Sequence, residues 1–278
     1  EDDSRSEERG TDIFALVGVL RLTQDRRRWF QMDATFRLPG SLLIRSSTGQ
    51  PGSPDMVHLK SLRKGGILPI VSGTSLAGAL RGRALRIANT VLGEQKGCEF
   101  VDAIFGPPMD EDSNAPERAR SAAGRPLPGS SRVNVEESVI EEGRDLVQSR
   151  VKIDRFTGGA FPTALFSEQP LFGNGQAEVK LTVSLRNPEA WEVGLLLLVL
   201  KDLWTGDLPL GGESSVGRGR LQGRGAKLTL RQNGQEQRWD LKQTDDGLRC
   251  EPANGATALE AYVAALWNYG RTVEEEKA

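Results

Sequence analysis

Phe30, Met32, Ala34, Phe36 and Leu38 alternate with Gln31, Asp33, Thr35 and Arg37. That period of two predicts a half-buried strand, and Pro39 and Gly40 end it. An apolar stretch, Ile13–Leu22, reads as a strand before it, with a charged turn at Asp25–Arg28 between them. The period then changes. Leu76, Leu80, Ala84, Ile87 and Val91 fall on one side of a helical wheel, predicting a helix over Gly73–Leu92 that Thr74 or Ser75 caps and Gly93 stops. Its opposite face carries Ser75, Gly78, Gly82, Arg83, Arg86 and Asn89. A glycine inside a helix costs about 1 kcal/mol relative to alanine. Two of them on a polar face make sense where a nucleic-acid strand or a neighbouring subunit approaches the backbone.

Regular spacing stops between Gly97 and Gly175, where Pro107, Pro108, Pro116, Pro126, Pro128 and the acidic Asp110–Asp112 stretch fall. This predicts a long insertion, 97–175, projecting from the body. Alternation resumes at Ala177–Arg186. Asn187-Pro188-Glu189 then predicts a helix start with Asn187 as the cap, the helix running to Trp204 and ending at Gly206. A glycine-rich loop, LGGESSVGRGR, follows, then strands near Ala226–Leu230 and Gln237–Lys242 and an amphipathic helix from about Ala256 to Tyr269. The expected units are a polar tail or linker (1–12), a core (13–96 and 176–222), the insertion, and a C-terminal extension of strands and helix (223–278). Without the insertion, the order of elements predicts an α+β, ferredoxin-like (RRM-like) core.

Composition narrows the function. The chain has 278 residues, 37% of them hydrophobic and 27% charged, which is enough for a core and excludes wholesale disorder. Cys98, Cys250 and the single histidine, His58, cannot build a zinc ribbon. The longest apolar run, Val193–Leu200, is too short to cross a bilayer. With no signal peptide before the first strand, a soluble cytoplasmic protein with no membrane partner is expected. The net charge of −2 hides a distribution: the first twelve residues are acidic, whereas Met56–Gly93 holds Lys60, Arg63, Lys64, Arg81, Arg83 and Arg86 and no acid. Ser214–Arg231 is likewise basic and acid-free. Such segments are the footprint of a polyanion partner, or else solvated faces balanced in space by distant acids.

The glycine-rich loop lacks the Gly-Lys-Ser/Thr end of a phosphate loop and opens no helix as GxGxxG would, which argues against nucleotide binding. It reads either as a flexible connection or as a run of N–H groups that grips phosphates together with Arg218 and Arg220.

Three motifs in order, SGTSLAGALR, RVKIDRFTGGA and LGGESSVGRGR, resemble the RAMP superfamily of CRISPR-associated proteins over roughly Trp29–Leu221. Within it, the chain looks like the crRNA-binding backbone subunit of type III effector complexes. The resemblance implies crRNA contacts at Gly73, Thr74, Ser75, Arg83 and Arg86, and at Gly211, Gly212, Ser214, Ser215, Gly217, Arg218, Gly219 and Arg220. It implies a thumb at Ile153, Asp154, Arg155 and Phe156 that wedges between guide–target base pairs. In the loop PDMVHLKS it places at Asp55 the aspartate that cleaves target RNA. Here the loop is longer and lacks the family's usual Gly-Gly and Pro-Val. The implied partners are crRNA, target RNA, homologous backbone subunits and other effector subunits.

The chemistry agrees in outline. RNA self-cleavage needs the 2′-OH in line with the scissile phosphate, and splaying out one nucleotide supplies that geometry. Cleavage also needs charge stabilisation, for which a carboxylate-held divalent metal, Mg or Mn, is a standard device. A two-histidine acid–base scheme is impossible with His58 alone, and Asp55 is the only acid from Arg45 through Gly93. Asp55 reads otherwise as a turn-forming residue after Pro54, and Glu136 and Glu137 are rival carboxylates. Asp154 is expected to pin the thumb through an ion pair, and His58 to be exposed. Phe156, Phe161, Phe166 and Phe172 either stack on bases or form a small local core. The alternatives to a cleaving subunit are a non-catalytic crRNA-binding subunit, a stand-alone RNA-processing endonuclease and a plain scaffold.

Overall fold

The computed structural model describes residues 27–47, 49, 51–107 and 130–275. The expected tail, the apolar Ile13–Leu22 strand and Asp110–Asp112 lie outside the described residues. The chain is α+β. Its first half contains β1 (Trp29–Arg37), β2 (Ser41–Leu42), β3 (Arg45–Ser46), β4 (Met56–His58), β5 (Lys60–Arg63), β6 (Gly66–Val71), α1 (Gly73–Leu92) and α2 (Glu94–Phe105). The middle contains β7 (Val133–Val135), β8 (Ser138–Glu141), β9 (Arg144–Asp145), β10 (Gln148–Ile153), β11 (Ala160–Gln169) and β12 (Leu171–Phe172). Then come β13 (Glu178–Arg186), α3 (Ala190–Trp204), β14 (Gln222–Gln232), β15 (Gln235–Thr244), β16 (Gly247–Glu251) and α4 (Gly255–Glu275).

β1 is flanked by β13 and β14, both antiparallel, so Phe30 faces Leu185 and Leu230, and Met32 faces Val183 and Leu228. Opposed residues on neighbouring strands share a face, so one alternation is repeated across three strands. The sheet runs β16-β15-β14-β1-β13-β8-β6-β5, with β7 also on β13. Leu76, Leu80, Ala84 and Val91 of α1 and Val193, Leu196, Leu200 and Leu203 of α3 join the apolar strand residues in one core. Burying each Leu or Val is worth about 1.5–3 kcal/mol.

Both helix starts differ from expectation. Ser72, outside α1, is its cap: the Oγ accepts the Ser75 N–H at 3.2 Å, while Thr74 and Ser75 are already helical. Asn187 takes a left-handed φ of 47° and does not cap α3. Glu189 does, in a reciprocal box in which the Glu192 side chain accepts the Glu189 N–H. The reciprocal carboxylate made Glu189 the better cap, although the sequence placed a proline before it.

The 97–175 segment does not project as one insertion. α2 lies on α1, where Arg81 pairs with Asp102. β7 and β8 belong to the main sheet beside β13. The β10–β11 hairpin leaves that sheet and joins β4 and β3 in a second one, β10-β11-β4-β3. The C-terminal strands are longer than expected, and α4 follows an additional strand, β16.

Candidate nucleic-acid interface

Along α1 a row of positions four apart, Thr74, Gly78, Gly82 and Arg86, is exposed. Among the described residues, a Cβ at Gly78 or Gly82 would meet nothing within 4 Å, so none of them calls for glycine there. At its N-terminal end the row opens into a cleft of about 510 Å³ whose lining mixes Ser72, Thr74, Arg81, Ser131 and Asn134 with the acid Glu137 and apolar side chains such as Phe105. The first N–H groups of a helix carry partial positive charge, which suits phosphate. Gly73 has a packing reason instead: a Cβ there would lie 2.6 Å from the Val135 carbonyl oxygen. Ser131 and Asn134 were not foreseen, because β7 lay in the stretch read as insertion.

The acid-free segments are acid-free only along the chain. Arg63 pairs with Glu137, Lys60 with Asp145, Arg81 with Asp102, and Arg83 Nε lies 2.5 Å from Asp202 Oδ2. Arg83, expected on the RNA, is thus spent on α3, and of the two arginines Arg86 is the exposed one.

The glycine-rich loop divides the same way. Gly211 has a φ of 74°, and a Cβ there would stand 2.5 Å from the Leu43 carbonyl oxygen; the Gly212 and Gly219 N–H groups donate to Leu43 and Ser41. These glycines let the loop lie on the β2–β3 segment. Arg218, expected to grip phosphate, is buried and ion-paired to Glu168 at 3.0 Å and Glu213 at 3.2 Å. Ser214, Ser215, Val216, Gly217 and Arg220 remain exposed. Arg220 donates to the Gly206 carbonyl.

His58 is buried rather than exposed. Its Nδ1 accepts the Ile44 N–H at 3.2 Å, and Nε2 lies 3.1 Å from the Ile70 carbonyl, to which it donates. Both bonds suit the neutral ring, and burial lowers its pKa to about 4. It thereby links the strand segment under the glycine-rich loop to β6, which leads into α1.

Asp55 is exposed, just before β4, which runs parallel to β11 with Met56 beside Glu168. Its Oδ2 accepts the Ser167 N–H at 2.7 Å and the Ser167 hydroxyl at 3.2 Å, and its own N–H donates to Ser167 Oγ. The Ser167 amide and hydroxyl hold its pKa below the usual carboxylate range. Glu136 and Glu137 are both exposed, and Glu137 is tied to Arg63.

The β10–β11 hairpin presents Ile153, Arg155 and a fully exposed Phe156 at its tip. Among the described residues Asp154 has no ion pair: its Oδ1 accepts the Phe156 N–H at 2.7 Å and the Thr157 N–H, making the turn. The Lys152 ammonium lies 4.7 Å from the Phe161 ring centre, and Phe166 and Phe172 are half-buried.

No three His, Cys, Asp or Glu side chains cluster as a metal cage among the described residues. A magnesium-type ion needs only one or two carboxylates when substrate phosphates and water complete its shell. Asp55, with Oδ1 outside the Ser167 bonds, fits that lesser role. No helix among the described residues is long and apolar enough to cross a membrane.

The family model of the RAMP superfamily matches residues 35–222. RAMP proteins are CRISPR-associated and bind crRNA, so this chain is a CRISPR-associated RNA-binding subunit. A comparison with curated proteins finds none that matches.

Proposed function

The chain belongs to the RAMP superfamily, and from that premise we propose a backbone subunit of a type III-like CRISPR effector that holds crRNA and cuts guide-paired target RNA. The observation that carries the binding half is the exposed Thr74–Gly78–Gly82–Arg86 row, with no atom of the described residues before either glycine and a cleft at the helix start. A sugar-phosphate strand can approach such a face closely, and the contacts read phosphates rather than bases. The strand order β14-β1-β13-β7/β8, with α1 and α3 on one face, supports a ferredoxin-like core. The exposed loop residues Ser214, Ser215, Gly217 and Arg220 form a second grip. Homologous backbone subunits would extend both grips along the guide.

For cleavage, Ile153 and Phe156 at the hairpin tip supply an apolar wedge that splays a target nucleotide and brings its 2′-OH in line. Asp55 supplies fixed negative charge. Its lowered pKa makes it a poor proton acceptor at neutral pH and a good anionic ligand. A divalent ion held there, Mg or Mn, would neutralise charge developing on the phosphate. The test is Asp55→Ala in the guide-loaded chain. Guide and target binding should persist while cleavage falls by orders of magnitude. Wild-type cutting by the variant would move the carboxylate role to Glu136, and a wild type that never cuts with Mg or Mn would leave a binding-only subunit.

A further inference from the structure

We infer that Ser167 is the positioning residue for the Asp55 carboxylate, a role that rests on the cleavage reading above. Asp55 ends a loop containing Pro51, Gly52 and Pro54, and an exposed loop does not by itself hold a carboxylate within the few tenths of an ångström that in-line chemistry demands. Ser167 supplies the missing constraint from the opposite strand. It sits opposite Ser149 in the β10–β11 register, yet its N–H goes to Asp55 Oδ2 at 2.7 Å. Its Oγ accepts the Asp55 N–H at 3.2 Å and donates to the same Oδ2 at 3.2 Å. One residue thus fixes both the main chain and one carboxylate oxygen of Asp55, and leaves Oδ1 outside those bonds. The strand that carries Ser167 is itself anchored. The next residue, Glu168, is buried and ion-paired to Arg150 at 3.1 Å and Arg218 at 3.0 Å.

The Ser167 N–H and hydroxyl are taken up by Asp55, so removing the Ser167 side chain should change rate and leave affinity alone. Ser167→Ala keeps the amide bond to Oδ2 and loses both hydroxyl bonds; Ser167→Thr restores the hydroxyl. In the guide-loaded chain, Ser167→Ala should lower the single-turnover cleavage rate by on the order of 10- to 100-fold with target affinity unchanged. Ser167→Thr should recover to within a few-fold of wild type. Independently of cleavage, the Asp55 amide should exchange with deuterium faster in Ser167→Ala than in wild type, since its acceptor is gone. A complex that cuts normally with alanine at 167, or an Asp55 amide equally unprotected in both proteins, overturns this inference alone. A wild-type complex that never cuts overturns the cleavage reading, and this inference with it.

Discussion

Arg218 Nη2 lies 3.0 Å from Glu168 Oε2, and both side chains are almost wholly buried, 4% and 1% exposed. Glu213 Oε2 stands 3.2 Å from Arg218 Nε, and Gln148 Oε1 accepts from Nη2 at 2.9 Å. Burial and the neighbouring Glu213 push the Glu168 carboxyl up. Glu213 resists the same burial through the Glu168 hydrogen bond and the Arg218, Arg150 and Arg45 guanidinium groups, and stays below its ordinary value. An arginine that reads as part of a phosphate grip is therefore the strut that fastens the glycine-rich loop to β11.

Without Arg218 the Glu168 and Glu213 carboxylates must share Arg150, 3.1 and 3.4 Å away, so the loss is at most the roughly 3–5 kcal/mol of a buried ion pair broken outright. Arg218→Ala should therefore lower the urea midpoint. Any protein that remains folded should bind crRNA with an unchanged salt slope. A normal midpoint with a shallower slope would return Arg218 to the phosphate grip.

Gly78 and Gly82 give a two-sided expectation. No atom of the described residues stands where a Cβ would go. Alanine at either position should then stabilise the isolated chain by about 1 kcal/mol through helix propensity. Leucine at the same positions should fold well and lose crRNA retention or assembly in size-exclusion chromatography, because a branched side chain fills the approach. Normal RNA loading by the leucine variants would show that the row faces only solvent.

The strands and α1 were legible because one-sided burial writes its period directly into the sequence: Phe30 to Phe36 alternate because one face meets the core. The pairings were not legible. Asp202 stands 119 residues from Arg83, and Asp55 stands 112 from Ser167, so no local pattern records either bond. His58 was misjudged for a related reason. Its partners are backbone groups of Ile44 and Ile70, and backbone bonds leave no trace in side-chain order. β7 and β8 were missed because strands of three and four residues are too short to show an alternation.

His58 makes stability depend on pH. Its folded pKa, lowered to about 4 by burial, lies below the 6.5 of the free side chain, so the unfolded chain binds the extra proton first. The contribution is complete above pH 6.5 and is lost as pH falls from there to about 4. The shift corresponds to about 3 kcal/mol. His58→Leu should flatten this window in urea titrations at pH 7.5 and pH 5. At pH 7.5 it should cost about 1–3 kcal/mol for each buried partner left unpaired, the Ile44 N–H and the Ile70 carbonyl. Equal pH dependence in the variant would place the titrating group elsewhere.

Arg83 and Arg86, one turn apart on α1, should separate structure from recognition. Arg83 is 27% exposed and bound to Asp202, itself only 7% exposed, so Arg83→Ala leaves a nearly buried carboxylate with Lys201 Nζ alone, 3.2 Å from its Oδ1, and should destabilise the fold. Its effect on the salt slope of crRNA binding should be small, because a guanidinium held by a carboxylate displaces few counterions from phosphate. Arg86 is exposed at the end of the glycine row, so Arg86→Ala should leave the urea midpoint within about 0.5 kcal/mol of wild type. If it meets a phosphate, the slope of log affinity against log salt should fall by about 1, equally for guides of different sequence. The reverse pattern, a structural loss at Arg86 and an electrostatic one at Arg83, would mean that the RNA runs along the α1–α3 side of the helix instead of the exposed row.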